Sequence, residues 1–233
     1  SGVAHGLNNM LGGVIGAAEL LGVKLKAGGG NNGIDLVNLI LKASSRASEL
    51  IFGLLDFSRK GKILSTPIVL QDTIRNTLDI AERTIDKKIR LKNSLPEKPL
   101  WVVGDPAQLQ NCFLNLLINA KDSMPDGGDL TISAFTRELS GQWCLKSAFD
   151  IHPGNYVCVQ VVDEGSGIPE HLQQKIFEPY VTTKAKGEGT GLGLAAVHGI
   201  VSGHQGAIVL ESREGVGSTF SIFLPLTDQV GQD

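Results

Sequence analysis

Asn111, Asn115 and Asn119 stand four residues apart, so on a helix their side-chain amides share one face. The residues between them, Cys112 to Leu114 and Leu116 to Ile118, are all apolar, which predicts a helix buried nearly all round. Amides on such a helix need partners in a polar cavity. An amide oxygen can also ligate a magnesium ion that is otherwise held by water and phosphates. Asp163 closes an alternating apolar run and is followed by Gly165 and Gly167. A carboxylate at a strand end can accept the exocyclic amine of adenine, while the glycines let backbone approach a ring closely. Gly187, Gly189, Gly191 and Gly193 alternate with Glu188, Thr190 and Leu192 ahead of an apolar helical stretch. Unpaired amides and the dipole at a helix N-terminus favour phosphate, and Lys184 and Lys186 add positive charge. The loop lacks the Gly-Lys-Ser/Thr of a P-loop and the βαβ setting of a dinucleotide fingerprint. These patterns together predict a nucleotide pocket with an amide metal ligand, a carboxylate for the base and a mobile glycine lid. His5, near the N-terminus, is a neutral imidazole near pH 7 and a possible phosphoryl acceptor.

Residues 1–60 read as the elements that would present His5. Leu7, Leu11, Val14, Ala18 and Leu21 recur at three- and four-residue steps, and the glycine- and asparagine-rich run 27–33 breaks the helix. A second stripe follows with Ile34, Val37, Leu41, Leu50, Ile51, Leu54 and Leu55. Two such helices cannot bury a wide apolar face alone, so a homodimer completing a four-helix bundle is expected. The chain begins inside a helical pattern, which predicts a longer polypeptide.

From residue 62 the pattern mixes helices with strands. Helices are expected over 70–87, over 105–124 with Asp105 and Pro106 as cap and first-turn proline, and over 193–201. Strands are expected near 90–95, 100–103, 130–135, 156–163, 207–212 and 219–224, with 136–155 as a long hairpin loop of low apolar content. The fold class is therefore α+β: a helical hairpin over 1–61, then an α/β sandwich over 62–233.

A hydrophobic content of 42% with 19% charged residues is that of a globular chain. The net charge of −3 argues against nucleic-acid binding. No apolar run approaches the roughly 20 residues that span a bilayer, so no membrane segment is expected. Three cysteines, Cys112, Cys144 and Cys158, suit neither a disulfide framework nor a zinc site, which points to a cytoplasmic location. His152, His171, His198 and His204 show no partner pattern and read as structural or solvated.

The ordered set of motifs resembles the kinase core of bacterial sensor histidine kinases. The matching blocks are the phosphoacceptor box at 3–11, the N box at 111–123, the G1 box at 163–167, the F box at 176–184 and the G2 box at 189–194, with the tail Gly217 to Phe220. The resemblance covers essentially the whole chain. It implies an ATP site of the Bergerat type, with Asn119 on Mg2+, Asn115 assisting, Asp163 on adenine and Thr219 near the adenine side. Gly165, Gly167, Lys184, Gly189, Thr190, Gly191, Leu192 and Gly193 would complete the nucleotide contacts. It also implies phosphorylation of His5 and transfer to an aspartate of a response regulator receiver domain, with Asn9 associated with phosphatase action.

One position departs from the family. The residue after the phosphoacceptor is usually Asp or Glu, and here it is Gly6. That acid orients the imidazole and takes its proton, and losing such help typically costs about 10²–10⁴ in rate. Asp56 on the second arm falls near the level of His5, although Arg59 and Lys60 compete for it. A degenerate kinase, acting as a dimeric ATP-binding module, is therefore one alternative. An ATPase of the gyrase, mismatch-repair or chaperone kind is another. Those enzymes place a glutamate one turn before the metal asparagine, where this chain has Asn115.

Overall fold

The computed structural model describes residues 15, 16, 18, 21, 66–146, 151–182 and 191–228. Ile15, Gly16, Ala18 and Leu21 are helical. The rest of the expected hairpin, with His5, Gly6, Asn9, Asp56 and the two-domain boundary, lies outside the described residues.

Seven strands and five helices are described. The strands are β1 (Thr66–Val69), β2 (Ile89–Ser94), β3 (Trp101–Gly104), β4 (Gly128–Leu139), β5 (Gly154–Asp163), β6 (Ala207–Arg213) and β7 (Gly217–Pro225). The helices are α1 (Leu70–Thr84), α2 (Pro106–Ser123), α3 (Gly141–Lys146), α4 (Glu170–Gln173) and α5 (Gly193–Gly203). Five strands form one sheet in the order β2-β4-β5-β7-β6, while β1 and β3 pair separately. Only the β2–β4 pairing in the large sheet is parallel.

The apolar residues of α1 recur at Leu70, Ile74, Leu78 and Ala81, all buried, so this helix lays one stripe on the core. Helix α2 starts where Asp105 accepts from the N–H groups of Ala107 and Gln108 at 2.9 and 3.2 Å, with Pro106 in the first turn. Its Leu109, Phe113, Leu116 and Leu117 are fully buried or nearly so. They meet Val197 and Val201 of α5 and the sheet residues Leu130, Ile132, Val159, Val161 and Ile222 in one cluster. On β5 the odd-numbered residues face this helical layer, and on β7 and β6 the even-numbered ones do, since strand neighbours alternate faces.

The span 136–155 differs from its expectation as a loop. Strand β4 runs on to Leu139, β5 begins at Gly154, and α3 lies between them. Leu139, Ile151, Tyr156, Cys158, Ala207 and Phe223 form a second small core on the other face of the sheet, with Trp143 packed against it. Trp143 meets Phe223 edge to face at 5.1 Å. Low apolar content concealed the segment because a few large side chains do the covering.

Candidate functional site

Asp163 is the last residue of β5, and its side chain points into the helical layer, 5% exposed. Its Oδ1 accepts the backbone N–H of Gly165 at 2.9 Å and lies 3.1 Å from the hydroxyl of Ser123, the last residue of α2. Burial pushes this carboxyl above the usual range, opposed by the Gly165 N–H, the Ser123 hydroxyl and the Ser218 N–H. The loop after Asp163 is pinned to the same helix end, since the N–H of Ser166 donates to the Ser123 carbonyl at 3.0 Å. Gly165 is required there. A Cβ would collide with the Ser123 hydroxyl and crowd the Asp163 carboxyl. Gly167, with a φ of +67°, sits where a Cβ would meet the Arg213 carbonyl.

The opposite end of the site lies one to two turns back along α2. Asn111, Asn115 and Asn119 occupy one face of the helix, and all three are half-buried. A methyl group in place of the Gly193 hydrogen would stand 3.7 Å from Asn115 Oδ1 and 3.7 Å from Asn119 Nδ2. Gly193 is the first residue of α5, and its N-cap, Leu192, provides no side-chain cap. The amide face of α2 therefore borders a helix N-terminus whose dipole favours an anion. Gly191, two residues earlier, holds a φ of +65° against the backbone of Tyr180. Tyr180 N–H donates to the Gly191 carbonyl at 2.9 Å, which joins the 176–182 segment to the foot of the glycine loop. Phe177 adds a ring contact with His198 of α5 at 5.7 Å.

The structure thus sets Asp163 and Gly165 against Ser123 at the end of α2, with Gly167 against Arg213, and sets Gly193, preceded by Gly191 and Leu192, beside Asn115 and Asn119 further back on the same helix. Lys184, Gly189 and Thr190 lie outside the described residues. Thr219 is placed differently from its expectation. It pairs with Val162 on β5 and with Glu211 on β6, so its side chain faces away from the helical layer. Strand alternation puts Ser218 on that layer instead, paired directly with Asp163. The Ser218 hydroxyl lies 3.0 Å from that of Ser212, which also accepts the Ile168 N–H at 2.8 Å. Ser123, Ser212 and Ser218 are the residues that sequence reasoning missed. The signal for Ser123 was present, because it is the next four-residue step after Asn119.

The donors suit a magnesium ion shared with phosphates. Neutral amide oxygens are hard ligands, and no group of three or more His, Cys, Asp or Glu among the described residues could hold a metal by itself. Cys112 and Cys158 are buried, as expected of packed thiols. No described helix is long and apolar enough to cross a membrane.

Comparison with known proteins agrees with this geometry. The family model described as "Histidine kinase-, DNA gyrase B-, and HSP90-like ATPase" matches residues 104–228, more than half of the chain. "Sensor kinase CckA" of Brucella abortus (strain 2308) is 37% identical over 226 residues, which are 96% of this chain and 23% of that protein. "Sensor histidine kinase ZraS" of Escherichia coli (strain K12) is 32% identical over 231 residues, covering 97% of this chain and 44% of that protein. The chain thus spans less than half the length of either relative. Among solved structures, the catalytic domain of histidine kinase ThkA aligns at 29% identity with a TM-score of 0.55, over 69% of this chain and 95% of that one. Mycobacterial sensor histidine kinase MprB aligns at 25% identity with a TM-score of 0.56, over 71% of this chain and 99% of that one.

Proposed function

This chain belongs to the histidine kinase-, DNA gyrase B-, and HSP90-like ATPase family, on its sensor histidine kinase side, and from that premise we propose that it is an ATP-dependent protein-histidine kinase core. The observation that carries the proposal is a single helix, α2, touching both ends of the site. Its Ser123 meets the Asp163 carboxyl, and its Asn115 and Asn119 border the start of α5. A base read at one end and phosphates held at the other is the arrangement a nucleoside triphosphate requires.

In this reading Asp163 accepts the exocyclic amine of adenine, and the first amides of α5 hold phosphate. The Asn119 amide would hold a magnesium ion, which supplies neutralisation of phosphate charge, and Asn115 lies beside it. Lys184, Gly189 and Thr190 complete the loop over the triphosphate. His5 then attacks the γ-phosphorus through a neutral imidazole nitrogen: an N–P bond forms, the bridging P–O bond breaks, ADP leaves and the imidazole gives up its proton. A receiver-domain aspartate takes the phosphoryl group in the second step, forming O–P as N–P breaks. Residues 1–61 form the dimerising hairpin, 62–233 the ATP-binding domain, and the chemistry takes place in the cytoplasm. Asn9, one turn after His5, serves a phosphatase reaction on the same regulator.

Gly6 favours a second reading, a kinase-weak ATP-binding module, because no carboxylate follows His5. One experiment separates the two. The purified chain is incubated with γ-labelled ATP and magnesium, alongside His5→Ala and Gly6→Asp. Acid-labile label absent from His5→Ala and raised in Gly6→Asp supports the kinase. ATP binding without label in either the parent or Gly6→Asp supports the module.

A further inference from the structure

The amide ladder of α2 does not stop at Asn119. Its next four-residue rung is Ser123, so 111, 115, 119 and 123 share one face along about 18 Å of helix. This fourth rung is the one that touches the carboxylate assigned to the base. We propose that Ser123 is a positioning residue that sets the rotation of the Asp163 carboxyl and thereby the selectivity of the pocket for an adenine over a 6-oxopurine base. The inference rests on the ATP reading above.

Ser123 has one hydroxyl hydrogen and two acceptors in reach, the Ala120 carbonyl at 2.7 Å and Asp163 Oδ1 at 3.1 Å. An ionised carboxylate is the stronger acceptor, so with Asp163 charged the hydrogen lies on Oδ1, and with Asp163 protonated it turns to the carbonyl. Oδ1 also takes the Gly165 N–H. Two donors on Oδ1, with the Ser218 N–H also against the carboxyl, fix its plane, and Oδ2 is taken by neither the Ser123 hydroxyl nor the Gly165 N–H. The Ser123 hydroxyl is itself held in place. Its residue's carbonyl is bonded by the Ser166 N–H, and Gly165 leaves no space between loop and hydroxyl for a Cβ. An amine donor on the base then meets a carboxylate of set orientation. A 6-oxo group would face the same oxygens as one acceptor against another. The pairing also ties the base-reading carboxylate of β5 to the helix that carries the phosphate-side amides, so α2 spans the distance between them.

The test compares the parent chain with Ser123→Ala, a change that helix propensity favours. Dissociation constants are measured by calorimetry for ATP and for inosine triphosphate, both with magnesium, and the ATP series is repeated down the acid range. The parent is expected to prefer ATP. Ser123→Ala is expected to lose about tenfold in ATP affinity with little change for inosine triphosphate, since a hydrogen bond to a charged group is lost only where that group is read. Its acid limit for ATP binding should move to higher pH, because a donor favouring the charged form is gone. An unchanged preference, an equal loss for both nucleotides, or an unmoved acid limit overturns the assignment of Ser123 alone. A parent chain that binds neither nucleotide overturns the ATP reading and this inference with it.

Discussion

The backbone N–H of Asp105 donates to Nε2 of His204 at 3.0 Å, and this bond ties the start of α2 to the end of α5. The other ring nitrogen, Nδ1, lies 2.7 Å from the Ile200 carbonyl. With Nε2 accepting and Nδ1 donating, the imidazole is the neutral Nδ1–H tautomer. The two helices that border the candidate site are thus clamped at the end away from Asp163.

His204→Ala should therefore destabilise the chain by about 1–3 kcal/mol, because the half-buried Asp105 N–H loses its acceptor and the Ile200 carbonyl keeps only its backbone donor. Gly104→Ala should act on the same clamp, since its new Cβ would stand 2.7 Å from the imidazole Cδ2. Urea unfolding of both variants checks this. Parent-like midpoints would show that the clamp contributes nothing.

Asp163 is expected to oppose stability while serving the ligand. Burial raises its pKa in the folded state, so folding disfavours the ionised form, and the penalty is present above the folded pKa. It disappears as pH falls through that pKa toward the unfolded value. Asp163→Asn should accordingly raise the unfolding temperature near neutral pH, with the gain shrinking on acidification, and should abolish ATP binding. Thermal melts across pH, paired with calorimetry, separate the two effects.

Gly165→Ala tests the seam itself. The added methyl collides with the Ser123 hydroxyl and the Asp163 carboxyl, and overpacking of this kind costs about 1–3 kcal/mol. ATP affinity should fall by at least tenfold on the scale of one lost hydrogen bond to a charged group. A folded Gly165→Ala protein with parent affinity would contradict the geometry described.

The second core carries its own prediction. Burial pushes the Cys158 thiol up to about 11, and both Cys158 and Cys112 are buried, whereas Cys144 is half-buried. Mild alkylation of the native chain should mark Cys144 first and spare the other two until denaturant is added. Peptide mapping of the labelled protein reads the order.

Legibility in the sequence followed the range of the interactions. Helix α2 could be read to within a residue because its cap, its proline and its apolar spacing are local. Asn119, Asp163 and Gly193 were legible as chemistry, since each residue type suits one part of a nucleotide. Ser218 was missed in favour of Thr219 because a strand's inward face depends on its pairing register, here Asp163 with Ser218, and no local pattern reveals a partner. The same reason hid β1, four residues long and formed only by pairing with β3. The span 136–155 was read by its average polarity, whereas Leu139, Trp143 and Ile151 act through position.

The central claim is that Asn119, Asp163 and the start of α5 bound one pocket for ATP. Titration of the full chain with ATP and magnesium in a calorimeter tests it most directly, with Asp163→Asn and Asn119→Ala run beside it. The account predicts saturable binding of one ATP per chain, lost in Asp163→Asn and weakened in Asn119→Ala in a magnesium-dependent way. No heat from the parent chain, or undiminished binding in Asp163→Asn, would contradict it.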